Sequence, residues 1–108
     1  MINIKVRKNK YVTIEVDGHA GADDIGKDVV CAAVSTICLT MSRAMNQIRA
    51  SGFEATLEKG HAFIKCKRVK SNAPYIHMAL SGFVMLAGMY PQYITMDKQN
   101  IEDINVTA

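Results

Sequence analysis

The chain has 108 residues, 49% of them hydrophobic and 21% charged, with a formal net charge of +3. That length fits one domain over residues 1–108 and leaves no room for a second core. The composition excludes a disordered chain, and so mild a positive balance does not by itself imply a nucleic-acid partner.

Ile2, Ile4 and Val6 alternate with Asn3, Lys5 and Arg7. Beyond a "KNK" turn, Val12, Ile14 and Val16 alternate with Thr13, Glu15 and Asp17. Period two on both sides of a polar turn predicts a β-hairpin with one buried face. Residues 18–27, rich in glycine and aspartate, read as a loop. Val30, Val34, Ile37, Met41, Met45 and Ile48 then recur at spacings of three and four, which predicts a helix over 29–51. Asp28 suits its N-cap, and Gly52 suits the left-handed position that ends it.

"FEATLEKGHAFIKCKRV" predicts a second hairpin, with Phe53, Ala55 and Leu57 on one face and Ala62, Ile64 and Cys66 on one face of the return strand. "SNAP" opens a second helix with Pro74 in its first turn, where a missing N–H is tolerated. Ile76, Leu80, Phe83, Ala87 and Tyr90 form its main stripe, while Met78, Met85 and Met89 make other faces apolar. A helix apolar nearly all round is buried on more than one side, so a second copy of the chain is expected to cover it as a homodimer. Pro91 ends the helix and "QYITM" reads as a last short strand; in the tail, "IEDINV" is a candidate edge strand. The order is ββαββαβ, an α+β, two-layer sandwich with two helices packed on β-hairpins.

The apolar run from Met78 to Tyr90 is shorter than the roughly 20 residues that span a bilayer. The first ten residues lack the apolar run of a signal peptide, so a cytoplasmic protein is expected. Three cysteines without a secretory signal argue against a disulfide framework, and Cys31, Cys38 and Cys66 are expected to be free thiols.

The stretch "GHAGADDIGKDVVCAAVS" carries His19 and Cys31. In a helix beginning near residue 29, Cys31 occupies the first turn, where free N–H groups and the macrodipole favour a thiolate. The amides of Cys31 and Ala32 could there hold an oxyanion. A thiolate beside a histidine is an activated nucleophile, but spacing alone allows an equally plain reading, a buried helix start and a loop histidine. Asp28 either orients His19 or caps the helix, and the cap weighs more. Ser35, one turn beyond Cys31, either hydrogen-bonds within the site or packs. Gly18, Gly21 and Gly26 would let the loop close as a lid, or the loop merely connects strand to helix. Glu15, Asp17, Asp23, Asp24 and Asp28 would draw a basic peptide, or merely solvate the loop.

"GHA" followed by "GKDVVCAAVS" closely resembles the ribosomal-processing cysteine protease family Prp. Its members carry G-H-A, a glycine-containing loop, then G-x-D-[IV]-V-C-A-x-x-S. The resemblance implies an endopeptidase that removes a short N-terminal leader from a bacterial large-subunit ribosomal protein, cutting after an aromatic residue and before a small one. It implies Cys31 as nucleophile and His19 as general base, with no cofactor and a basic leader peptide as partner.

Three other readings are weaker. A metal module would have to gather His19, Cys31, Cys38 and Cys66 without any C-x-x-C. An RNA-binding module would lack interleaved aromatics, with no tryptophan and three phenylalanines, so direct nucleic-acid binding is not expected. A catalytically silent relative that binds the ribosomal protein would have no need of both His19 and Cys31. His61 and His77 read as structural or exposed, Cys38 and Cys66 as core, and the basic run at 65–70 as a solvated strand edge.

Overall fold

The computed structural model describes residues 1–18 and 25–97. The first hairpin forms as its alternation predicts: β1 (Ile2–Lys8) pairs antiparallel with β2 (Tyr11–Asp17), burying Ile2, Ile4, Val6, Val12, Ile14 and Val16. The second hairpin is β3 (Glu54–Glu58) and β4 (His61–Lys67), where Leu57 faces Ala62 and Ala55 faces Ile64.

The two hairpins are not separate layers. β2 pairs with β4 along its whole length, and β5 (Ile94–Met96) adds parallel to β1, giving one five-stranded sheet in the order β3-β4-β2-β1-β5. Helices α1 (Ile25–Gln47) and α2 (Ala73–Met89) make the β2-to-β3 and β4-to-β5 crossovers. β2 and β4 are antiparallel and their crossovers run toward opposite edges. The right-handed rule for such connections therefore puts both helices on one face of the sheet. Val30, Val34, Cys38, Met41 and Met45 of α1 and Ile76, Leu80 and Phe83 of α2 meet the buried strand residues there. The result is the expected α+β, two-layer ββαββαβ arrangement, with its other sheet face open.

Residues 29–47 of α1 are long and apolar enough to cross a membrane. Here that helix packs its apolar stripe on the sheet.

Several boundaries differ from expectation. α1 begins at Ile25, four residues early, because an acidic residue type at 28 suits the first turn as well as a cap. Gly26 and Asp28 thus belong to the helix, not to a loop and a cap, whereas His19, Gly21, Asp23 and Asp24 lie outside the described residues. α1 ends at Gln47, and the first left-handed residue is Arg49 (φ 51°), with the Ala50 amide donating to the Met45 carbonyl at 2.9 Å. Gly52 (φ 67°) instead turns the chain toward β3. Ile48, expected in the core stripe, is 45% exposed as a consequence. α2 begins as foreseen with Pro74 in its first turn; Asn72 before it is fully buried and donates to the Ser51 and Lys67 carbonyls. The tail strand suggested by "IEDINV" falls outside the described residues.

Candidate active site

β2 ends in a tight clamp. Gly18 has φ +103°, a conformation L side chains rarely adopt, and its amide donates to the Gly60 carbonyl at 3.0 Å. A Cβ on it would lie 2.2 Å from the Met1 carbonyl oxygen, so only glycine fits. The last described residue before His19 is therefore locked between the N-terminus and the turn of the β3–β4 hairpin.

Beside this clamp lies a cavity of about 220 Å³ between α1 and the hairpin. Val16 of β2 and Gly18 just after it line one side, Cys31, Val34 and Ser35 of α1 another, and Leu57 and Ala62 of the hairpin the third. The cavity exists because β3 reaches past the cover of α1: every residue of β3 is exposed, and Leu57 and Leu39 keep 40% and 56% of their surface in solvent. Its walls are mostly aliphatic, suited to apolar side chains of an extended peptide.

The three thiols are not equivalent. None is in a disulfide, as the odd number suggested. Burial pushes Cys38 and Cys66 up to about 11, which keeps them protonated and inert. Cys31 is only half-buried and faces the cavity. The geometry thus removes two of three cysteines from consideration and gives the third room for a substrate. Ser35, one turn on, lines the same cavity.

The earlier start of α1 changes one expectation. Cys31 sits in the second turn, so its amide and that of Ala32 lie past the four free N–H groups at the helix start. Those two amides are committed to helix carbonyls and drop out as oxyanion donors.

Sequence reasoning missed His61. It is the cross-strand partner of Asp17, its Nδ1 lies 2.5 Å from Asp17 Oδ1, and it also borders the cavity. The Asp17 hydrogen bond chiefly, with the charges of Asp17, Glu15 and Glu58, raises its pKa above the ordinary 6.5 against a lowering from desolvation. The signal was present in the alternation of β2 and β4, but it becomes readable only once those strands are known to pair. Glu15 and Asp17 lie on the open sheet face, opposite α1, so they do not surround Cys31 as their sequence positions suggested. His77 is exposed on α2, and Lys65 of the basic run rests 4.5 Å over the Tyr11 ring on the open face.

The family model described as cysteine protease Prp matches residues 1–95. The chain belongs to the Prp family of cysteine proteases. Its fold is similar to that of the ribosomal processing protease Prp from S. aureus in a crystal structure with a substrate peptide. There the TM-score is 0.74 at 21% identity, covering 90% of this chain and 98% of that one. A structure of the same S. aureus protease with a covalently linked product peptide gives 0.72 at 22%, with 90% and 98% covered. A Streptococcus mutans protein gives 0.67 at 24%, with 90% and 92% covered. No curated protein matches in sequence. Membership in Prp makes the chain a cysteine peptidase, consistent with a half-buried thiol on an apolar cavity.

Proposed function

We infer that this Prp-family protein is a cytoplasmic endopeptidase that removes a short N-terminal leader from a bacterial large-subunit ribosomal protein. The observation that carries the reading is the placement of Cys31 on a cavity that also meets Gly18, the clamped residue immediately before His19. His19 takes the thiol proton, Cys31 attacks the scissile carbonyl, and His19 returns the proton to the departing amine as the C–N bond breaks and the acyl-enzyme forms. Water then hydrolyses the thioester and releases the leader. Leu39, Leu57 and Val34 offer the leader an apolar bed. The S. aureus relatives, captured with a substrate peptide and with a covalently linked product, support both the substrate class and the covalent route.

Met78, Met85 and Met89, 80%, 57% and 57% exposed, form one stripe of α2 turned away from the sheet. Such a stripe supports a homodimer in which a second copy covers it. The deciding experiment incubates a leader-bearing peptide with wild type, Cys31→Ala and His19→Ala and reads products by mass spectrometry. Cleavage at one bond by wild type alone is expected; cleavage by Cys31→Ala would remove the assigned nucleophile.

A further inference from the structure

The open face of the sheet holds a donor set that the peptidase reaction does not use. Glu15 and Asp17 stand two apart on β2, so their side chains share a face, and His61 on β4 is directly opposite Asp17. One ligand atom from each of the three lies within 4.8 Å of the other two, and all three residues are half-buried. Such a set, one imidazole nitrogen and two carboxylates, matches the mixed N/O ligation of first-row divalent cations and not the all-oxygen shells of calcium or magnesium.

Two further observations separate this set from an ordinary group of surface acids. First, the donors are fixed by strand register. β2 and β4 pair without a bulge from Tyr11–Lys67 to Asp17–His61, and the Gly18–Gly60 hydrogen bond continues the ladder past them. Second, no lysine among the described residues forms an ion pair with Glu15 or Asp17. Lys5 is the cross-strand neighbour of Glu15, yet the two form no ion pair; the salt bridges among the described residues are Arg7–Asp97 and His61–Asp17. Like charges crowded on one sheet face disfavour each other. Glu58, opposite His61 on β3, adds a third carboxylate to the same row.

We propose that Glu15, Asp17 and His61 bind a divalent first-row transition cation such as zinc, bridging β2 and β4 on the face opposite the helices. Three protein ligands leave the remaining positions to water. A cation there would tie the last residue of β2 to β4, immediately before Gly18 and His19, and so brace the strand end from which the peptidase base departs. His61 also borders the cavity that Cys31 lines, but the test uses a chain without that thiol and does not depend on the leader-processing reading.

The experiment uses the full, untagged chain carrying Cys31→Ser, stripped with chelator and titrated with cobalt(II) as a spectroscopic stand-in for zinc. One equivalent should develop visible d–d bands without a thiolate charge-transfer band, and zinc should displace them. His61→Gln and Glu15→Gln alter half-exposed side chains, and circular dichroism checks that both variants fold. Each should weaken cobalt binding by more than about tenfold, the lower bound set by loss of even an outer-shell partner. Absence of saturable bands, a thiolate band, or unchanged affinity in either variant would overturn the assignment.

Discussion

The clamp at Gly18 makes a quantitative prediction. Gly18→Ala places a methyl 2.2 Å from the Met1 carbonyl oxygen, where an ordinary contact needs at least 3.4 Å. The missing 1.2 Å (3.4 − 2.2) must come from backbone movement. Met1 and Ile2 resist it, because the Ile2 amide is bonded to the Tyr93 carbonyl at 2.8 Å and the Ile2 side chain is buried. Holding a non-glycine residue at φ +103° costs about 1–3 kcal/mol. Relieving the clash adds about 1–3 kcal/mol, as overpacking does elsewhere. A total of about 2–6 kcal/mol is a sizeable share of the roughly 5–15 kcal/mol that holds a domain of this size folded. Urea denaturation followed by circular dichroism measures it, with Gly88→Ala as the control. No atom lies within 4 Å of a Cβ at Gly88. Alanine there should stabilise α2 by up to about 1 kcal/mol through helix propensity. Because Gly18 also sets the departure of the chain toward His19, leader-peptide cleavage by Gly18→Ala should fall at a temperature where the variant remains folded. Equal stability and equal cleavage in Gly18→Ala and wild type would refute the clamp.

Three further outcomes are expected. Iodoacetamide at pH 8 should add one label to the native protein, at Cys31, because Cys38 and Cys66 are buried with pKa values near 11; peptide mapping that finds Cys38 or Cys66 labelled first would contradict the cavity geometry. The double variant Met85→Glu/Met89→Glu should shift the chain from dimer to monomer in light scattering without lowering its unfolding midpoint, and a wild type that is already monomeric would remove the dimer. Phe83, with no exposed surface, should lose about 3–5 kcal/mol of stability on change to alanine, measured by the same urea unfolding.

The chemistry of the site was legible where it depended on residue type along a continuous stretch. The run from Gly18 to Ser35 carried the Prp resemblance, and the family model over residues 1–95 agrees with it. Alternation in β1 and β2 and the three-four spacing in both helices gave the element order, since each period reflects burial on one side of a regular backbone. Helix ends were less legible. Residues at 25–28 suit either a loop or a first helical turn by composition, and the choice moved Cys31 by a full turn and withdrew two amides from the proposed oxyanion site.

By itself, then, the sequence determined which segments bury a face, which cysteine stands after the G-H-A motif, and which family the chain joins, because those properties reside in local pattern. Tertiary structure alone decided that β2 pairs with β4. That pairing sets His61 against Asp17 and leaves the overhang of β3 that opens the cavity at Cys31. Strand order is a contest among long-range partners with similar apolar faces. Helix crossovers and whole-core packing settle it, and no window of residues records the result.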